Sequence, residues 1–342
     1  MGGPNLEVDL APHNKLGLRL GNPVLVASGC FGYGTEYEPL VDIQRLGAIC
    51  SKGITVRPRE GNPPPRIAET PSGMLNAIGL QNVGLQRVIS DKAPIWARWR
   101  VPVIVNISGE SIGEFEELAE RLDGVPGVAG LELNISCPNI SAGGRLFADD
   151  ADSAAAVTRV VRAASSLPLM AKLSPNVTDI VAIARAVEEA GADCVSIANT
   201  LVGMVIDVEA RRPYIANVTA GLSGPAVRPV VVRMVYEVAR AVRVPIVGVG
   251  GVTCLRDALE YLMAGATAVQ VGTANFVNPR TALEIIEGLR DYLTEKGIAD
   301  VAELVGLAQR ELPNLPLSPS LKGRGGTVKL APPSLQGRAL GG

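Results

Sequence analysis

The chain has 342 residues, 47% of them hydrophobic and 19% charged, with a formal net charge of −2. That length allows one large α/β domain or two smaller ones, and the balanced charge excludes a general nucleic-acid surface. No apolar run approaches the roughly 18 residues of a membrane-spanning helix, and the N-terminus lacks a secretory apolar region, so a cytoplasmic chain with no membrane partner is expected.

Eight apolar runs recur, at 23–27, 48–51, 101–105, 130–133, 169–173, 194–198, 245–249 and 268–271. With only four Phe and two Trp, the core must be built from Val, Ala, Leu and Ile, which suits buried parallel strands. Between the runs, 115–122, 153–165, 180–190, 227–242 and 255–264 carry apolar residues three and four apart, the helical period. Strands alternating with helices predict a parallel sheet with crossover helices. Eight units predict an α/β fold of the (β/α)8 TIM-barrel type, whose usual size is about 250 residues plus insertions. The rival is a doubly wound open sheet, weakened by the lack of GxGxxG after the first run.

In chain order the runs end in Ser28-Gly29, Ser51-Lys52, Asn106, Asn134 with Cys137, Lys172, Asn199-Thr200, Gly250-Gly251 and Gly272-Thr273. A barrel gathers these ends on one face, where such enzymes keep their sites. The longest insertion, 54–84, ends in Asn76-Ala77-Ile78-Gly79-Leu80-Gln81-Asn82 and is expected to form one side of a ligand pocket. Glycines after the seventh and eighth runs, joined by Gly221-Leu222-Ser223-Gly224-Pro225 read as the opening of the next helix, predict a phosphate site. Lys52 and Lys172 are expected to point into the barrel mouth. A buried lysine needs a partner, so an anionic or electron-rich ligand is expected. A phosphate-bearing cofactor whose ring becomes anionic on reduction meets both demands, and flavin mononucleotide (FMN) fits.

Cys137, in Asn134-Ile135-Ser136-Cys137-Pro138-Asn139, is poorly explained as packing; amides beside it can hold a planar polar ligand and the thiol can move a proton. Cys50, Cys194 and Cys254 read as buried filler, while Cys30 lies in a glycine-rich loop and stays open. No CxxC or other ligand spacing appears, so no metal site is expected in this chain. The lone His13 has no candidate partner nearby in sequence. Residues 318–342 hold four basic residues and no acidic one among abundant Pro, Gly and Ser, which reads as a disordered tail or a weak electrostatic contact with a partner.

The hexapeptide around Cys137, with Ser51-Lys52-Gly53-Ile54-Thr55, the 76–82 segment, Ile197-Ala198-Asn199-Thr200 and Gln270-Val271-Gly272-Thr273-Ala274, resembles the dihydroorotate dehydrogenases over about residues 4–311. The resemblance implies one FMN-binding barrel domain over 1–311 that oxidises dihydroorotate to orotate in pyrimidine biosynthesis. Cys137 places the chain with the soluble class 1 members. Segments 27–34 and 139–144 look more like the NAD-linked class 1B, whose catalytic subunits form a homodimer core of a heterotetramer with a partner carrying FAD and a 2Fe–2S cluster.

Carried over by position, Cys137 is the base that takes the C5 proton, with hydride leaving C6 for flavin N5. Lys52, Asn76, Ala77, Ile78, Gly79, Leu80, Asn134, Asn139, Asn199 and Thr200 bind substrate. Ser28, Lys52, Gly53, Asn106, Asn134, Lys172, Ala198, Gly224, Gly250, Gly251, Gly272 and Thr273 bind FMN, with Ala198 where the family pattern has a larger aliphatic residue. Three alternatives stay open: a fumarate-linked class 1A homodimer, a tRNA dihydrouridine synthase, and a non-catalytic phosphate-binding barrel.

Overall fold

The computed structural model describes residues 3–135, 141–142, 145–146 and 150–310. The chain divides into two units, Met1–Gln309 and Arg310–Gly342, and the first holds the barrel. The tail at 318–342 lies outside the described residues.

All eight apolar runs form strands: β1 (Val24–Val26), β2 (Ala48–Cys50), β3 (Val103–Ile107), β4 (Gly130–Asn134), β5 (Leu169–Lys172), β6 (Cys194–Ile197), β7 (Ile246–Val249) and β8 (Ala268–Val271). Each pairs in parallel with its chain neighbours, and β8 returns to β1, closing the barrel. Their residues are buried almost without interruption, because helices cover the outside and side chains fill the inside.

The covering helices are α1 (Ile112–Leu122), α2 (Ala151–Ala164), α3 (Ile180–Glu189), α4 (Arg228–Ala239), α5 (Leu255–Ala264) and α6 (Thr281–Lys296). In α1 the buried Phe115, Leu118, Ala119 and Leu122 recur at helical spacing, and Ser111 caps the start by accepting from the Glu114 N–H. Asp150 and Asp179 cap α2 and α3 in the same way. α6 went unpredicted; its buried positions 282, 283, 285, 286, 289 and 293 follow the same period. After β1 there is only a 3₁₀ turn, Ile43–Arg45.

Excursions after β2 and β6 build a second, smaller element. Antiparallel strands Ile67–Thr70, Gly73–Asn76, Ala220–Ser223 and Leu201–Gly203 lie side by side in that order. Of 221–225, expected to open a helix, only the end does so. Ala220–Ser223 is a strand, because its backbone is claimed by Gly73–Asn76, while Gly224 stands at the N-cap of the 3₁₀ helix Pro225–Val227, which runs into α4 at Arg228. This sheet has its own small core of Ala68, Leu75, Ala77, Ile215 and Ala220. Cys254 is also corrected: the chain leaves β7 at Val249, and Cys254 is exposed at the N-cap of α5, whereas Cys50 and Cys194 are buried.

Candidate active site

The C-terminal ends of the barrel strands form the floor of a cavity of about 590 Å³, and the antiparallel sheet forms its outer wall. On the floor, Asn106 lies within β3 rather than after it, and Lys172 is the last residue of β5. Both face a residue that the sequence reading passed over, Glu132 of β4, which is fully buried. Its Oε2 accepts from Asn106 Nδ2 at 2.6 Å and lies 3.7 Å from Lys172 Nζ. Its Oε1 accepts from Gln270 Nε2 at 2.9 Å and from Ser196 Oγ at 3.3 Å. Burial alone would raise the Glu132 pKa, but Lys172 and the two amides outweigh it and hold the carboxyl below its ordinary value. Lys172 also donates to Ser28 Oγ at 3.1 Å. The chain therefore supplies the counter-charge for Lys172 itself, and the burial of that lysine does not by itself demand an anionic ligand.

A smaller lobe of about 80 Å³ opens from the floor, lined by Ala198, Ser223, Gly224, Gly250, Gly251, Gly272 and Thr273. Gly251 has φ +66°, and a Cβ there would come within 2.8 Å of Gly224 O and of Arg228 Cβ, so only glycine fits. The loop after β7 is braced from behind. Tyr261 Oη donates to Gly250 O at 2.6 Å, and Asp257 Oδ2 accepts from Thr253 N and Oγ1 at 2.9 and 2.6 Å. Arg228 pairs with Asp257 and Glu260. Bare backbone with two hydroxyls, Thr273 Oγ1 donating to Ser223 Oγ at 2.8 Å, gives the donors and the space that a phosphate needs.

On the wall, Asn76 Nδ2 donates to Gly221 O at 3.3 Å, tying the two central strands. A Cβ on Gly221 would collide with Thr200, so this strand runs close over the substrate-side residues. Asn176 Nδ2 donates to Thr200 O at 3.0 Å and Asn176 Oδ1 accepts from Val202 N at 2.9 Å, which anchors the wall to the end of β6. Asn199 Nδ2 donates to Asn134 Oδ1 at 3.5 Å. Between floor and wall stands Lys52, half-buried. Burial pushes its pKa down, Cys30 opposes that, and the neighbouring Arg66 adds to it.

Every described residue expected to bind substrate or cofactor lines one of these two connected spaces, from Ser28 and Lys52 through Asn76–Leu80 to Gly272 and Thr273. Cys137 and Asn139 lie outside the described residues. Cys30, left open before, lines both lobes, and burial raises its thiol pKa against the pull of Lys172 and Lys52. Glu132, Gln270, Arg66 and Asn176 were missed. A charge within the run Gly130–Asn134 was a visible signal for Glu132; the others depend on pairings no local pattern reveals. His13 is exposed and lines neither space.

A family model described as dihydroorotate dehydrogenase matches residues 11–293. The catalytic subunit of dihydroorotate dehydrogenase B (NAD(+)) from Geotalea uraniireducens is 55% identical over 306 residues, covering 90% of this chain and 99% of that protein. The subunit of the same name from Desulforudis audaxviator is 58% identical over 294 residues, covering 86% and 96%. Among solved structures, DHODH from Eimeria tenella in complex with ferulenol is similar in fold, with a TM-score of 0.75 over 90% of this chain and 89% of that one at 23% identity. From the span of the family match and the identity of these relatives, the chain belongs to the dihydroorotate dehydrogenase family.

Proposed function

We propose that the chain is the FMN-dependent catalytic subunit of an NAD-linked dihydroorotate dehydrogenase of pyrimidine biosynthesis. The observation that carries this reading is the cavity itself, with a glycine-lined lobe at one end and a chamber of lysine and asparagine side chains at the other. The fit to FMN rests on two features. Bare backbone at Gly251 leaves room that a side chain would fill, and the Ser223 and Thr273 hydroxyls add donors for a phosphate. Ser28, Asn106 and Lys172 would hold the ring, with Gly53 beside Asn106 and Ala198 by the glycine lobe. When bound, FMN supplies the acceptor for the hydride that leaves substrate C6.

The rest is the work of the chain. Lys52 pairs with the substrate carboxylate; Glu36 acts on it electrostatically but forms no ion pair with it among the described residues. Asn76, Asn134, Asn199 and Thr200, with the 77–80 backbone, take the ring amides and fix the ring flat over the floor. Cys137 Sγ takes the C5 proton, and Asn139 joins the substrate contacts from the same segment. An ordinary thiol titrates near ~8.5, so proton removal strengthens toward alkaline pH. The wall and the floor hold the substrate between them and keep water from it. The names of the relatives, catalytic subunits of a NAD(+) enzyme, support a partner subunit. The resemblance to class 1B implies that this partner carries electrons onward through FAD and a 2Fe–2S cluster, with this chain as the homodimeric core of a heterotetramer. The names favour that arrangement over a fumarate-linked homodimer.

The test is anaerobic. The purified chain should show a flavin spectrum that bleaches on addition of dihydroorotate, with orotate formed. A flavin that stays oxidised would retain the cofactor and discard the substrate. NAD reduction should require the partner; turnover by this chain alone with fumarate would overturn the NAD-linked reading.

A further inference from the structure

Glu132 is a fully buried carboxylate beneath the cavity floor, and the proposed chemistry makes no use of it. A carboxylate has about four acceptor sites, and donors from four different strands converge on this one, Asn106 of β3, Lys172 of β5, Ser196 of β6 and Gln270 of β8, with the Ser28 hydroxyl after β1 also hydrogen-bonding to it. Each amide turns its NH₂ rather than its oxygen toward Glu132, and the Gln270 oxygen is left buried without a partner. Such a ring of donors suits an ionised acceptor and no protonated one. Ser28, Asn106 and Lys172 line the cavity, while Ser196 and Gln270 do not. Glu132 thus connects the barrel interior to the floor on which a planar ligand would lie.

We propose that Glu132 is a positioning residue of that floor, fixing the Lys172 ammonium and balancing its charge, and thereby setting how strongly the site favours reduced over oxidised flavin. The inference rests on FMN occupying the cavity. Lys172 alone would present a full positive charge to a bound flavin and pull the equilibrium toward the electron-rich reduced form. With Glu132 3.7 Å away, the pair is close to neutral, and the pull is moderated. A purely structural carboxylate would affect folding and flavin affinity without moving the redox balance in a fixed direction.

The experiment measures the two-electron reduction potential of the flavin-loaded chain, by equilibration with a reference dye, for the parent, for Glu132→Gln, and for Glu132→Gln combined with Lys172→Met. Glu132→Gln should bind reduced flavin at least tenfold more tightly relative to oxidised flavin than the parent does, an upward shift of about 30 mV or more. The double variant removes both charges together, so it should fold even where the single one does not, and its potential should stay within about 30 mV of the parent. An unchanged or lowered potential in folded Glu132→Gln overturns the inference and leaves the cofactor reading intact. So does a double variant that fails to fold or falls well below the parent. A parent chain that binds no flavin overturns both.

Discussion

Across the cavity from one another lie two surfaces built in different ways. In the floor and just beneath it, Asn106, Glu132, Lys172 and Gln270 are 1%, 0%, 5% and 0% exposed and are hydrogen-bonded to each other or to the barrel around them. On the wall, Ile67 and Val202 are 46% and 61% exposed, and the sheet rests on five buried side chains, none larger than Leu or Ile. The floor borrows its rigidity from the barrel core, whereas the wall has little core of its own. A bound ring therefore meets a preorganised surface on one side and an adjustable one on the other, the combination that aligns a cofactor while admitting and releasing a substrate.

Substitutions separate the two surfaces. The largest effect is expected from Cys137→Ser, which replaces the thiol with a far weaker base; flavin reduction by dihydroorotate, followed by stopped-flow absorbance, should slow about 10²–10⁴-fold near neutral pH while bound flavin is retained. An unchanged rate would remove Cys137 from the chemistry. Lys52→Met, at the seam between floor and wall, removes one charged contact of about 1.5–3 kcal/mol. Orotate affinity, measured on the flavin-loaded variant, should drop roughly 10–100-fold in a fluorescence titration.

The same lysine gives a pH signature. Its pKa is lowered in the free protein, first by burial, so it loses its proton at lower pH than an ordinary lysine. A bound carboxylate favours the ammonium, so orotate binding takes up protons and weakens as pH rises through that lowered pKa. Affinity that stays flat into the alkaline range where lysine titrates would exclude Lys52 as the carboxylate partner.

In stability, Leu118→Ala beneath α1 should cost about 2–5 kcal/mol in denaturant unfolding, as a fully buried leucine in a close-packed core does. Leu75→Ala in the wall should lower global stability less and raise KM more. Equal losses of stability would mean that wall and barrel unfold as one unit. Deleting residues 318–342 should change least of all: flavin content and turnover should match the full chain, and loss of a copurified partner on deletion would give the tail a docking role.

The barrel was legible because each strand is a continuous apolar run whose burial on both faces leaves a signal in composition alone. The floor was legible for a related reason: residues at the ends of eight parallel strands are gathered by topology, so Asn106, Lys172 and Gly272 could be placed together without a contact map. The wall was not. Ala220–Ser223 is held by a partner strand in a distant excursion, and its glycines read equally well as a helix approach. Glu132 is hidden by its surroundings, since a lone acid within an apolar run does not disturb the strand pattern, whereas Lys172, in the same predicament one strand away, stands at a strand end that faces the cavity. The two answer each other. Helix α6 escaped the reading although its buried residues keep the helical period, and its uncapped start does not distinguish it from α4 and α5.

The pairing of Asn76 with Gly221, 145 residues apart in sequence, also bears on how the molecule comes into being. Neither excursion can find the other until β2 and β6 are held in place, so the entropy of closing that long loop is met only after most of the barrel has assembled. The pocket thus completes itself late in folding. By the same logic its outer side opens early under stress, so amide protons of 73–76 and 220–223 should exchange well before those of β3 and β4.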